Sequence, residues 1–299
     1  MKPRRRKTLG AVCTAIAATA LTTLGLAGSA SASSELYEKF DLCPIEKEGV
    51  ARCLYAVTEG GKVTLGNKTV SIVNDVTLQG GYGAPVEEEG GEFSTLIPPT
   101  NGVTLSKTPQ PVPGGLAGLV NCPEISNFIL RAACEWTFEN GLTGVNSVLE
   151  LAGTLKLSET NLTLKQGVAM RMPIKVKLEN PFLGSNCYIG SDKAPIIWNL
   201  TAGTTTPPEG VEPITGETGS AELLDGGRIL KLSENKLVEN NWAAPGTSGC
   251  GGIFSFLLDP IVSAASGLPA AAGKNVAILE NTVHIGSANA VKKDRALNP

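Results

Sequence analysis

The segment Val168-Ala-Met-Arg-Met-Pro-Ile-Lys-Val-Lys-Leu178 alternates apolar side chains with other residues. Successive residues of a β-strand point to opposite faces of a sheet, so the alternation predicts a strand with one core face and one solvent face. Arg171, Lys175 and Lys177 lie on the predicted solvent face together with Pro173. Because proline has no N–H to donate to a neighbouring strand, Pro173 further predicts an edge strand or a bulge.

Similar strand patterns recur along the chain. Lys62–Leu65 and Lys68–Ile72 flank Gly66-Asn67, and glycine in the first loop position suits a type II′ hairpin turn. Further strands are predicted at 195–202, 227–232 and 275–286. The chain holds 35 Gly and 19 Pro but only 5% aromatic residues, which is typical of short strands joined by tight turns. We expect a mainly β fold, an antiparallel β-sandwich of the Greek-key type with one or two short helices, stabilised by disulfides.

Two segments are expected to form those helices. Ile125, Phe128, Ile129, Ala132 and Ala133 have the spacing of a helix face that packs on a core. The apolar run from 251 to 273 has no strong period, and its Asp259-Pro260 pair predicts the start of a helical turn that covers one end of the core.

Two other segments are expected to be connections. Residues 80–91 are rich in Gly and Glu, and predict a solvated loop. Residues 106–115 contain three prolines and predict a linker or an extended crossing segment. The sequence therefore predicts a single all-β domain over 33–299, with 106–115 as the position of any sub-boundary.

Residues 1–32 have the pattern of a cleavable secretory signal peptide. A basic head from Lys2 to Lys7 precedes the apolar stretch Leu9–Ala27 and a run of small residues that ends at Ala32. The rival is an N-terminal membrane anchor, but frequent Thr, Gly and Ala make the stretch only mildly apolar. We expect export, no transmembrane segment in the mature chain, and an extracellular or cell-wall-associated location.

Export would change the charge of the chain. Removing the five cations of residues 1–32 leaves 20 of the 25 Lys and Arg residues against 28 Asp and Glu, a net charge of −8. A chain of that sign has no general attraction to phosphate backbones. Nucleic-acid partners are therefore not expected.

The mature chain keeps six cysteines, and an even number in an exported protein predicts three disulfides. Cys43 with Cys53 would close a local loop, and Cys187 with Cys250 would join distant strands. A continuous helix would hold Cys122 and Cys134 roughly 18 Å apart. They either pair across a short bent helix, which we favour, or pair elsewhere. With no Cys-x-x-Cys pair and a single histidine, neither a metal site nor a cofactor is expected.

The sequence offers little support for catalysis. His284 is the only histidine, and on the predicted strand its facing neighbour Glu280 lies about 13 Å away. Gly246–Cys250 lacks the closing glycine of a nucleophile elbow. The spacing of the acidic residues singles out no pair of carboxylates. No catalytic residue is predicted, and the sequence favours a non-catalytic protein.

Aromatic side chains are the candidates for a ligand-binding surface in this sequence. Trp136 and Trp242 are the predicted ligand-binding residues, as a surface on which a sugar ring stacks, although the three tryptophans also suit core positions. Trp198 lies within a predicted strand and fits the core best. A second hypothesis is an apolar-ligand site under the 251–273 connection, unless its side chains only cap the core. Its lining would consist of Phe254, Phe256, Leu257 and Ile261.

Three segments resemble a group of secreted actinobacterial proteins without an assigned activity. They are Thr108-Pro-Gln-Pro-Val-Pro-Gly-Gly-Leu-Ala-Gly-Leu-Val120, Cys134-Glu-Trp-Thr-Phe-Glu-Asn-Gly141 and Leu178-Glu-Asn-Pro-Phe-Leu-Gly-Ser-Asn-Cys-Tyr-Ile-Gly190. The likeness covers most of the mature chain. It implies export and an all-β fold, and it transfers no catalytic residues.

The sequence therefore predicts a secreted, non-catalytic envelope or extracellular protein with a binding or structural role. Its expected partner is a cell-wall glycan or another envelope component. Two alternatives remain open: a hydrolase that acts on cell-wall or environmental polymers, and a carrier of lipids or small apolar ligands.

Overall fold

Antiparallel β-strands dominate residues 35–298, the part of the chain that the computed structural model describes. The signal peptide predicted at 1–32 lies outside the described residues. The strands are β1 (Arg52–Leu65), β2 (Lys68–Ser71), β3 (Val76–Tyr82), β4 (Val86–Glu88), β5 (Gly91–Ile97), β6 (Gln110–Pro111), β7 (Asn146–Leu151), β8 (Lys156–Leu157), β9 (Met170–Glu179), β10 (Tyr188–Ile189), β11 (Ile196–Leu200), β12 (Ser220–Leu224), β13 (Ile229–Glu239), β14 (Thr247–Ser248) and β15 (Val276–Ser287). After a short helical segment at 35–38, the helices are α1 (Phe128–Glu139), α2 (Glu159–Leu164), α3 (Ser255–Ala265) and α4 (Ala288–Leu297).

The strands form two sheets that are joined along one side. The first sheet has the order β12-β13-β15-β1-β3, and β2 pairs with the far end of β1. The second sheet is built around β9, with β7 and β8 on one side and β10 and β11 on the other. Short pairings of β5 with β3 and with β8 connect the sheets. The mainly β, antiparallel sandwich that the sequence predicts is confirmed.

Strand β9 shows the predicted alternation but not the predicted position. From Met170 to Glu179 every second side chain is buried. The edge position that Pro173 suggested is wrong, because β9 has neighbours on both sides. One neighbouring ladder is interrupted between β7 and β8, and Gly153 in that gap lies against the Pro173 ring. Pro173 has no N–H to donate, and the break between β7 and β8 leaves no partner that requires one. The strand can therefore hold a proline without lying at an edge of the sheet.

Helix α1 turns a different face to the core than its apolar spacing predicts. Phe128, 76% exposed, and Ile129 point outward, whereas Leu130, Cys134 and Thr137 are buried. The predicted core face is therefore wrong, apart from Ile125, which is buried before the helix begins. The disulfide at Cys134 accounts for the rotation, since it fixes that side of the helix against the protein.

The described residues contain three disulfides, and each joins the pair that the sequence favours. The Cys122–Cys134 bridge is possible because the chain is not one continuous helix. Cys122 lies in a separate 3₁₀ turn, and α1 begins only after Asn127, whose side chain accepts from the N–H groups of Ile129 and Leu130. This bend brings the two cysteine Cα atoms to 5.6 Å.

Two of the expected connections carry more structure than predicted. The solvated loop expected at 80–91 is wrong: most of it forms the end of β3 and the β4–β5 hairpin, where Glu88 pairs with Lys156 and Arg171. The 106–115 segment is an extended crossing between the sheets. The Ser106 N–H bonds to Thr77 in the first sheet, and Gln110–Pro111 form β6 beside β7 in the second.

Further helical structure covers the ends of the sandwich. Helix α3 begins at Ser255, earlier than the Asp259-Pro260 start that the sequence suggests, and buries Leu258 and Val262. At the other end of β1, the Arg295 guanidinium of α4 donates to the carbonyls of Phe40, Asp41 and Cys43. The first and last described segments therefore pack together. No helix within residues 35–298 combines the length and apolar character needed to cross a bilayer.

Candidate functional site

An apolar cavity of about 60 Å³ lies between the two sheets. The first sheet and its hairpin contribute one aliphatic wall, and the second sheet with its crossing segment contributes the other. The aliphatic side chains are Val63, Leu65, Val70, Ile72 and Val76 on one side and Val112, Leu119, Leu149, Val176, Leu178 and Ile189 on the other.

The cavity exists because short side chains face each other across the sandwich. Five of the lining residues are valines, and the lining contains no aromatic ring. Sheets in a sandwich stack about 10 Å apart, and the space is filled only where the inner side chains interdigitate. The opposed valines and leucines of β1, β2 and β9 leave part of this space unfilled.

The two long polar side chains along the cavity, Lys68 and Gln110, are bonded to the protein rather than free for a ligand. Lys68 Nζ donates to the Gly118 carbonyl at 2.7 Å. The Gln110 side-chain carbonyl accepts from the N–H groups of Val73 and Asn74, while its amide nitrogen donates to the Asn74 carbonyl. What remains for a bound molecule is an aliphatic surface.

This arrangement is suited to apolar recognition. A cavity lined by aliphatic side chains gives water few hydrogen-bond partners, and such cavities stay dry and bind apolar molecules. The cavity volume is roughly four times the minimum of about 15 Å³ that one water molecule needs. It therefore matches a short alkyl group rather than a bulky ring system.

The predicted tryptophan site is divided between the surface and the core. Trp136 is 57% exposed on α1, whereas Trp242 is only 3% exposed and packs edge-on against Trp198, with ring centroids 5.7 Å apart. Trp242 therefore presents no open ring face to solvent, and the two residues do not form one platform. A ligand-binding role for Trp136 stays a prediction.

The apolar-ligand site expected under the 251–273 connection also differs in detail. Phe254, Leu257 and Ile261 pack against the core as partly buried side chains, whereas Phe256 is exposed. None of the four lines the cavity, and Ser266 is the one residue of that connection that does. The apolar space lies deeper, between the sheets.

Chemical groups suited to catalysis are not brought together at this cavity. His284 lies outside it on β15, and its buried Nδ1 atom has no hydrogen-bond partner among residues 35–298. The Gly246–Cys250 segment is held by Asp259, whose carboxylate accepts from the N–H groups of Gly249 and Cys250. In the described range 35–298, no three His, Cys, Asp or Glu side chains are grouped to hold a metal ion.

Comparisons with known proteins identify no relative of this chain. No family model, curated protein or solved structure matches this chain. The cavity residues come from five separate parts of the sequence, so no local motif marks them. The only local signal is the alternation in β1 and β9, which identifies inward-facing side chains but not the space between them.

Proposed function

We propose that this chain is an exported, non-catalytic binding protein that holds a small apolar molecule or alkyl group between its two sheets. The observation that carries this proposal is the cavity with aliphatic walls from both sheets, at which the Lys68 and Gln110 side chains are already bonded to the protein. Three disulfides and the pattern of residues 1–32 support export.

This proposal narrows the range of partners expected from the sequence. An alkyl chain of an envelope component would satisfy both the apolar cavity and the predicted location at the cell envelope. The burial of Trp242 removes one of the two predicted stacking surfaces for a glycan. A binding role therefore rests on the interior of the sandwich rather than on a tryptophan platform.

The test is a titration of the oxidised 33–299 protein with straight-chain alcohols from propanol to octanol. NMR signals of the cavity valine methyl groups report binding. Each buried methylene contributes about 0.8 kcal/mol, so we expect the dissociation constant to fall about fourfold per added carbon. The gain should stop once the chain fills the cavity.

Two matched variants locate the binding. Val70→Phe places a ring at the cavity, whereas Val73→Phe makes the same change three residues away at a position that is 61% exposed and does not line it. We expect at least tenfold weaker binding in Val70→Phe and unchanged binding in Val73→Phe. The proposal fails if no alcohol gives a saturable shift, or if both variants bind like the parent protein.

A further inference from the structure

A polar pocket of about 240 Å³ lies where β11 and β13 diverge, separate from the apolar cavity. Its lining is dominated by hydroxyl, amide and carboxylate groups. These belong chiefly to Asn199, Thr201, Thr205, Thr206, Glu239 and Asn241. The pocket is lined by no aromatic side chain, so a sugar ring would find no surface on which to stack.

Glu239 is the charged group of this pocket, and it is only 4% exposed. Its carboxylate accepts hydrogen bonds from the backbone N–H groups of Asn199 at 3.1 Å and Asn241 at 2.5 Å. Both partners are donors, an arrangement that favours the ionised form. Burial nevertheless raises the pKa of Glu239, and these N–H groups counteract the rise.

The negative charge of Glu239 has no cationic partner among residues 35–298. The ten ion pairs of that region involve other carboxylates. A glutamate is rarely buried this far unless it is paired, because removing a charge from water is costly. A cation supplied from outside would complete the pocket.

The surrounding groups indicate the kind of cation. One carboxylate supplies little charge for a calcium ion, whose sites usually combine several carboxylate and carbonyl oxygens. The volume also exceeds that of a bare ion and accommodates a small organic molecule. A primary ammonium group has three N–H donors, which suit the Glu239 carboxylate together with hydroxyl and amide oxygens.

We propose that this pocket binds the primary ammonium group of a small organic molecule, with Glu239 as its counter-ion. Thr206 lies at the exposed rim, where its carbonyl accepts from Asn241 Nδ2 at 2.8 Å and its hydroxyl is available to a ligand. Glu239 also has a structural role. Its carboxylate continues the pairing of β11 with β13 beyond the bridge between Thr201 and Val238.

The experiment is a titration of ¹⁵N-labelled 33–299 protein with ethanolammonium chloride at constant ionic strength. The backbone amides of Asn199 and Asn241 serve as reporters because both bond to Glu239. Ethylene glycol is the matched neutral control. We expect saturable shifts of both amides with ethanolammonium and none with the diol.

Variants separate ligand binding from the structural role of Glu239. Glu239→Gln should abolish binding, Thr206→Val should weaken it at least threefold, and Thr206→Ser should restore it. If Glu239→Gln does not fold, the comparison of Thr206→Val with Thr206→Ser and the ethylene glycol control still test whether the pocket binds the ammonium group. Equal shifts with ethylene glycol, equal affinity in Thr206→Val, or no saturable shift in the parent protein would each overturn the proposal.

Discussion

Acidification should destabilise this protein through its single histidine. His284 lies on β15 between Tyr55 of β1 and Lys231 of β13, and it is 7% exposed. Burial, together with the nearby charges of Lys39 and Lys231, lowers the pKa of His284 from 6.5 to about 4. The folded protein therefore keeps a neutral imidazole at a pH where the unfolded chain carries a charged one.

The direction and size of the effect follow from proton binding. As the pH falls below 6.5, the unfolded state takes up a proton that the folded state accepts only near pH 4. Stability present at neutral pH is thus lost as the pH falls through this interval. At about 1.36 kcal/mol per pKa unit, the loss reaches roughly 2 kcal/mol at pH 5 and roughly 3 kcal/mol at pH 4.

Urea unfolding of the oxidised 33–299 protein at pH 7 and pH 5 measures this loss. The His284→Gln variant lacks the imidazole, so its loss over the same interval should be about 2 kcal/mol smaller. Both proteins keep the same carboxylates, so the difference between their losses isolates the contribution of the histidine. NMR of the one imidazole gives its pKa directly. A pKa near 6.5, or equal losses in both proteins, would refute the reasoning.

Two further pairs of variants test the packing, each by urea unfolding. Gly216→Ala would place its methyl group 2.5 Å from the Lys236 carbonyl oxygen, and we expect a loss of at least about 2 kcal/mol. Gly144→Ala meets nothing within 4 Å and should change stability by no more than about 1 kcal/mol. Replacing the Cys187–Cys250 pair by alanines should cost about 4 kcal/mol, against about 3 kcal/mol for Cys43–Cys53, because the sequence separations are 63 and 10 residues. Equal losses within either comparison contradict these expectations.

Sequence patterns predicted the strand faces better than the positions of strands within the sheets. Alternation identified the buried side of β9, because burial of one face requires a period of two. The neighbours of β9 come from distant segments of the chain. The presence of Pro173 therefore led to the wrong prediction that β9 is an edge strand. The predicted core face of helix α1 was wrong for a related reason. Its apolar spacing was clear, but the disulfide between Cys134 and Cys122 determined which side of the helix faces inward.

The two pockets were not predictable from local patterns. Val70 and Val176 face one cavity from different sheets, and nothing in either strand specifies the gap between them. Glu239 occurs at the end of a strand, where a glutamate is ordinarily solvated. Its burial arises only when β11 and the 204–206 segment pack over it. Both sites therefore depend on how distant segments pack together, which no local pattern of residues specifies.

The position of β1 has a consequence for biosynthesis. This strand forms near the start of the described chain, yet its longest pairing is with β15, which is synthesised more than two hundred residues later. Until β15 is available, β1 and β13 each keep an unpaired edge that invites wrong pairing or aggregation. The first sheet therefore cannot close before β15 has been synthesised, and the segment around Phe40 that bonds to Arg295 packs into place only afterwards. The early strands of such a chain stay exposed to wrong pairing until its last strand has been made.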